Sequence, residues 1–406
     1  MKRLGALLLS AAPALAMANL EVDNVLSLRG GVWSGDRSLS QQTEVGTTAL
    51  WARSRLLTDT LGQGVFDGWV GTQSSGDVRH GLVREAYWRY EAGATSIKAG
   101  RQIIVWGRAD GLNPTDNLAP RDFTKLTPED GNQRYGNTAL NVSHEWEAGT
   151  LSAIWFPKAA THTIPLTQLA NVDYDVRRPD ASQWAVKWDM RGENVDGSMS
   201  YFDGIDPMPD LIPGLLTASG ATVKVQSQRT RFLGADISMT HDGTLWHAEA
   251  ALSDTQSEGA DDWRHKKPQL WFVGGGEWRV FDSTTLGLQL TYTHVFDYKS
   301  AKSLTPGFEQ LVAIRQAATS GQTSENQAGF TWRLADAWLN DLLRVELSGV
   351  AVHTSGSGIA RVKTDYAVAD GVKLVGGVDY YYGPADTFFG QLRDNKTVYL
   401  QLEYAL

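Results

Sequence analysis

Thr397-Val398-Tyr399-Leu400-Gln401-Leu402-Glu403-Tyr404-Ala405-Leu406 alternates apolar and polar residues without a break. Successive side chains of a strand point to opposite faces. Val398, Leu400, Leu402, Tyr404 and Leu406 therefore share one face, and Tyr399, Gln401, Glu403 and Ala405 the other. Four more segments repeat the pattern. Trp184, Val186, Trp188 and Met190 oppose Gln183, Ala185, Lys187 and Asp189. Leu286, Leu288, Leu290, Tyr292 and Phe296 oppose Gly287, Gln289, Thr291 and Thr293. Ala328, Phe330, Trp332 and Leu334 oppose Gln327, Gly329, Thr331 and Arg333, and Val372, Leu374, Val378 and Tyr380 oppose Lys373, Gly377 and Asp379. Aromatics near the ends of these apolar faces fit a girdle at a membrane interface.

Weaker alternation places strands near 25–33, 48–58, 64–72, 82–91, 95–105, 138–146, 150–157, 195–203, 230–240, 244–253, 269–280, 342–353 and 358–368. The total is about eighteen, with sixteen as the alternative, an even number as a single-chain barrel needs. Short connections fall at 59–63, 92–94, 147–149, 192–194, 241–243, 281–284, 336–341 and 369–371, with turn pairs such as Asp242-Gly243 and Asp370-Gly371. The connections between them are longer. The expected fold is all-β: a single closed antiparallel transmembrane β-barrel, with short periplasmic turns, long external loops and both chain ends in the periplasm.

At the other end of the chain, Lys2 and Arg3 precede an apolar run from Leu4 to Ala12 that closes in the small residues Ala14, Ala16 and Ala18. That is the pattern of a signal peptide over 1–18, leaving a barrel domain over 19–406 bound for the outer membrane. There are 46 acidic residues against 37 Lys and Arg, an acidic balance that argues against a nucleic-acid partner. Cysteine is absent, which excludes a disulfide framework and a lipid-anchored cysteine. The eight histidines are scattered, and no Gly-x-Ser-x-Gly elbow or zinc-type His pair accompanies them. Gly274-Gly275-Gly276 lies within an expected strand and so is no phosphate loop. No catalytic set, metal or cofactor is expected.

The most distinctive stretch runs from Gly100-Arg101-Gln102 through Val105-Trp106-Gly107 to Asn113-Pro114-Thr115-Asp116-Asn117 and Arg121-Asp122-Phe123. It resembles proteobacterial outer-membrane barrels of the alginate-export type and a related uncharacterised group often encoded beside membrane exporters. The resemblance implies an eighteen-stranded porin-like barrel, and for alginate export an anionic polysaccharide crossing an arginine-rich lumen. It also implies a periplasmic or inner-membrane exporter as partner. The alternating segment over 398–406 resembles the C-terminal signal read by the barrel-insertion machinery, with Leu406 where an aromatic is usual. That machinery, outer-membrane lipid and lipopolysaccharide are the remaining expected partners.

The connection 107–137 is long and rich in Asp, Asn, Pro and Arg. It is expected to fold into the lumen and narrow it, because a barrel this wide otherwise leaves an open aqueous channel. Its candidate residues are Asp110, Asn113, Asp116, Asn117, Arg121 and Asp122. Oxygen ligation of Ca²⁺ by Asp110, Asn113, Asp116 and Asn117 is the alternative to a capped turn. Inferred lumen faces carry Arg53, Arg55, Arg89, Lys98, Lys187, Arg191, Arg279, Arg333, Arg344, Arg361, Lys363 and Lys373. Asp67, Glu85, Asp189, Glu277, Glu346, Asp365, Asp379 and Glu403 interleave with them. Such a wall either attracts anions or forms a salt-bridge network that hydrates the pore. Simple alternation sends Arg84 and Arg101 towards lipid, so a bulge or a rim position is expected there. Trp69, Trp271 and Tyr381 would stack solutes if they face inward. Residues 304–318 read as a helix with Phe308, Leu311, Val312 and Ile314 on its apolar side, and 205–216 as an apolar external loop. The expectation for the whole is passive passage of polar solutes, anionic ones or polysaccharide among them, through a water-filled lumen. A plugged receptor or adhesion scaffold is the alternative, and an outer-membrane hydrolase a more distant one.

Overall fold

A computed structural model describes residues 20–36, 42–75, 79–166, 169–256 and 263–406. The expected signal peptide lies outside the described residues. Alternation resolves into β1 (Leu20–Gly35), β2 (Glu44–Thr58), β3 (Gly62–Gln73), β4 (Gly81–Ala92), β5 (Thr95–Gln102), β6 (Asn137–Trp146) and β7 (Gly149–Phe156). After β8 (Val172–Arg177) come β9 (Gln183–Met190), β10 (Val195–Ile205), β11 (Asp210–Thr217), β12 (Gly220–Gln226), β13 (Arg229–His241), β14 (Thr244–Gln256), β15 (Gln269–Arg279) and β16 (Thr285–Val295). Helix α1 (Phe308–Thr319) precedes β17 (Asn326–Trp338), β18 (Leu343–Val352), β19 (Ser357–Ala369), β20 (Val372–Tyr382) and β21 (Thr397–Ala405).

All but β8, β11 and β12 belong to one 18-stranded antiparallel sheet. β1 pairs with β2 and also with β21, Ser27 opposite Ala405 and Gly35 opposite Thr397, so the sheet closes and leaves no edge. The sixteen-strand alternative falls away. Every strand expected from the sequence is present within a few residues of its expected bounds. On β21 the register holds along the strand: Val398, Leu400, Leu402 and Tyr404 face outward and exposed, while Thr397, Tyr399 and Gln401 are buried inside. Such an outward face is stable only against hydrocarbon, as for a barrel that spans a membrane.

Turns at 59–61, 93–94, 147–148, 191–194, 242–243, 280–284, 339–342 and 370–371 gather at the end that holds Leu20 and Leu406. The opposite end carries the longer connections, with one exception. Residues 353–356 make a single tight turn, a 3₁₀ step at His353–Ser355 closed by Gly356 at φ 60°. Glycine suits that left-handed position because it has no Cβ to clash.

Two departures from alternation place basic side chains inside. Between Asp67 and Gly68 the β3–β4 register slips, so Glu85 opposes Asp67, Val83 opposes Gly68, and Arg84 is the extra residue of a bulge. Its guanidinium turns into the lumen, 3.0 Å from Asp67, and donates to the carbonyls of Arg134 and Gly131. Gly100 adopts φ 127°, which interrupts the pleat just before Arg101. Arg101 lines the lumen and lies over Tyr135.

The external connections between β7 and β13 contain a second sheet, in which β12 pairs antiparallel with β11 and parallel with β8. The expected loop over 205–216 is thus partly a strand. Pro213 stands at the irregularity between Pro213 and Leu216, where no ladder donor is required of it. Leu211, Val223 and Val225 of this sheet pack with Val312 of α1, and Ile164, Leu166, Tyr174 and Phe308 flank them. Helix α1 therefore buries Phe308 and Val312 as expected, while Leu311 is left exposed.

Candidate pore and constriction

Loop 103–136, between β5 and β6, enters the barrel instead of capping its rim, slightly offset from the expected 107–137. Its entry is driven by an apolar arc on the inner wall. Trp106 and Leu118 of the loop pack on Ala139, Ile154, Phe156, Ala185, Phe202, Phe232 and Ala251, inward residues of β6, β7, β9, β10, β13 and β14. Glu249 then latches the loop. This buried carboxylate accepts from the backbone N–H groups of Arg108 and Ala109 and from Thr115 Oγ1. A buried charge is tolerated only when it is hydrogen-bonded in this way. Arg108 adds an ion pair at 2.6 Å to Asp236.

The candidate residues of the loop divide into roles. Asn113 builds a turn: its side chain donates to Trp106 O and accepts from Thr115 N and Oγ1, while Gly107 at φ 88° makes room for it. Asp116 is buried between Arg121 and Arg134 as an internal ion cluster. Asn117 donates to Pro114 O and does not line the lumen, because the turn at 113–117 directs it back into the loop. Asp122 caps Thr124 and sits 3.6 Å from Arg79. Arg121 lines the lumen, and its N–H donates to His162 Nδ1. Burial and the neighbouring Arg121 lower the His162 pKa to about 3, so the ring is the neutral acceptor that bond requires. Asp110 reaches the channel face, and an added Cβ at the next residue, Gly111, would lie 3.9 Å from Thr331 on β17. With Asn113 and Asn117 spent on turns and Asp116 ion-paired, these four residues do not converge on a cation. Among the described residues no three His, Asp or Glu side chains gather as metal ligands.

Sequence reasoning overlooked the loop tip. Glu129 and Asp130 cross the lumen to β19, Glu129 at 2.6 Å from Lys363 and Asp130 at 2.7 Å from Arg361. The available signal was charge complementarity, an acidic Pro128-Glu129-Asp130 tip facing two bases two residues apart on one strand. Seeing it requires the register, which no local pattern supplies.

The wall bases are mostly balanced by acids. Arg333 lies 2.8 Å from Glu346 and 3.5 Å from Glu277, and Arg361 lies 3.1 Å from Asp379. Lys363 and Lys373 share Asp365, Lys373 reaches Glu403 at 3.5 Å, and Glu403 meets Arg29 on β1. Arg53 pairs with Asp67, Arg89 with Glu91, and Lys187 with Asp189. Lys98 lies over the Tyr87 ring. Arg55, Arg279 and Arg344 follow the inward register of their strands, and Arg344 lines the inner chamber. Arg191 is a correction. It stands in the turn 191–194 beyond the last residue of β9, paired with Glu145 at the rim, because the strand ends at Met190.

Two chambers result. The outer one, of about 2380 Å³, lies between the external loops and the inserted loop, and the inner one, of about 600 Å³, opens beyond it. Arg333 and Glu346 line both, so the narrow zone runs beside that pair. Trp271 and Tyr381 face the outer chamber. Trp69 also faces inward but is covered: Lys125 of the loop sits 3.5 Å from its ring and 4.1 Å from that of Trp51. Burial, with Arg84 and Arg29 nearby, lowers the Lys125 pKa to about 6.

No family profile matches this chain, and a search of curated proteins gives no match. Solved structures do match it. OccAB3 of Acinetobacter baumannii is 9% identical, with a TM-score of 0.57, over 95% of this chain and 99% of that one. OpdK of Pseudomonas aeruginosa, solved with vanillate, is 11% identical, with a TM-score of 0.54, over 95% and 98%. A porin of Rhodopseudomonas blastica, 12% identical over 95% and 100%, has a TM-score of 0.44. At such identities OccAB3 and OpdK speak for the fold alone: an eighteen-stranded closed barrel over nearly the whole chain.

Proposed function

We propose that this chain is a channel of the Gram-negative outer membrane, passing polar solutes through a water-filled lumen whose width the inserted loop sets. The observation that carries the reading is the loop 103–136 docked inside a closed barrel, with a chamber on each side of it. In this reading the polar groups of the lumen serve as hydrogen-bonding and charged surface along a path. Barrel-insertion machinery, lipopolysaccharide and an exporter on the periplasmic side are its natural partners, and an anionic polysaccharide of the alginate type remains one candidate cargo. The paired wall bases weaken a purely electrostatic attraction of anions by the wall, since each carboxylate beside them offsets the field.

Planar-bilayer recording tests the proposal: steady ohmic conductance is expected from the purified barrel, and a severalfold rise on deleting 110–122. The ion pairs from Glu129 and Asp130 across the lumen favour a second reading, a plugged scaffold. Absence of conductance from the intact chain, restored by Glu129→Gln with Asp130→Asn, decides for the plug.

A further inference from the structure

The outer chamber brings two guanidinium groups together over one aromatic ring. Arg79 and Arg101 both lie over Tyr135, their guanidinium carbons 4.8 and 5.8 Å from its ring centroid. Tyr135 is buried and fixed, its hydroxyl donating to Thr161 O. Among the described residues no carboxylate pairs with Arg101, and its Nε is buried without a hydrogen-bond partner. The nearest acid to Arg79, Asp122, is 3.6 Å away and already accepts from Thr124 N and Oγ1. Lys125, on the same side of the chamber, is held separately, over the Trp51 and Trp69 rings. Two guanidiniums over one ring, one of them with an idle donor, repel each other until an anion enters. The surroundings above it are apolar. Arg79 donates to Thr163 Oγ1, and the next residues of that chain, Ile164 and Leu166, line the chamber, as does Phe123.

Taking the channel reading as given, we infer that Arg79, Arg101 and Tyr135 form a binding station, on the external side of the inserted loop, for a small amphiphilic carboxylate. The carboxylate accepts from the two guanidiniums, whose planar forks suit it. The apolar body lies along Phe123, Ile164 and Leu166, where it displaces water from hydrocarbon surface. A sugar or an inorganic anion uses one half of the station and not the other.

The test is calorimetry on the full barrel in lipid nanodiscs, with empty discs subtracted. Hexanoate, acetate and hexylammonium are the probes. Hexanoate is expected to bind more tightly than acetate, and hexylammonium not at all. Arg79→Gln and Arg101→Gln should each weaken hexanoate about tenfold, the usual loss for one charge-assisted bond. Arg101→Lys should fall between, and Ile164→Ser should weaken hexanoate while leaving acetate unchanged. No heat from hexanoate, equal binding of hexylammonium, or unchanged affinity in Arg101→Gln overturns the inference. Conductance is recorded on the same preparations. Binding without conductance overturns the channel reading and keeps the station, and conductance without binding does the reverse.

Discussion

Two arcs of the inner wall, each of six strands, are unlike. From β6 to β14 it carries an inward apolar cluster of Ala139, Ile154, Phe156, Ala185, Phe202, Phe232 and Ala251, sealed under Trp106 and Leu118. From β15 to β20 it carries Trp271, Gln289, Thr331, Arg333, Glu346, Arg361, Asp379 and Tyr381, and they stay open to the chamber. The same strand geometry therefore serves a dry interface on one side and a wet one on the other. The difference is in the side chains that alternate inward. An inward apolar arc is unstable against water and needs a cover; the loop is that cover, and the remaining charged arc becomes the passage by default.

The comparison breaks most sharply at Trp106. Trp106→Ala should loosen the loop from its arc by about 3–5 kcal/mol, the usual cost of truncating a buried aromatic. Faster amide exchange over 103–136 and flickering conductance are the expected readouts; unchanged exchange would show that the Glu249 latch alone holds the loop. On the open side, Asp130→Asn and Arg361→Gln should each widen the constriction modestly. The swapped pair Asp130→Arg with Arg361→Asp should recover the original conductance, with a coupling of about 0.5–3 kcal/mol between the two sites. Additive effects would mean that the bridge does not span the passage.

The smallest effect is expected at Lys125, which lies against β2 and β3 on the stretch of wall between the two arcs. Its folded pKa lies near 6, far below its value in an unfolded chain, so the unfolded chain holds more protons between those values. Stability should therefore rise as pH climbs from about 6 towards the ordinary lysine range, and Lys125→Met should flatten that slope. A tryptophan-fluorescence transition with a midpoint near pH 6, reporting on Trp51 and Trp69, should vanish in Lys125→Met. Its persistence in the variant would assign it elsewhere.

The wall was legible in the sequence because a period of two is local: Val398 and Leu400 declare their face without reference to any partner. Even the irregularity at Arg84 announced itself, as a charge that alternation would have sent into lipid. The loop was legible as a loop and as an insertion, but its working residues were not. Asn113 and Asn117 drew notice as polar and turned out to shape the backbone, whereas Glu129 and Asp130 act through residues on β19, more than two hundred positions away. The sheet of β8, β11 and β12 escaped for the same reason, since its parallel pairing joins segments that no hairpin connects. Long-range partners are chosen by closure of the barrel, and a period cannot encode closure.

The seam between β1 and β21 has a consequence for assembly. It joins the first and last described strands, the pairing with the greatest separation along the chain, and such contacts carry the largest loop-closure cost until everything between them is in place. The inserted loop bonds to Glu249 on β14, deep inside the finished ring. That bond spans 134 residues, far fewer than the seam, so the latch costs less loop-closure entropy and the seam is the costliest stitch of the ring.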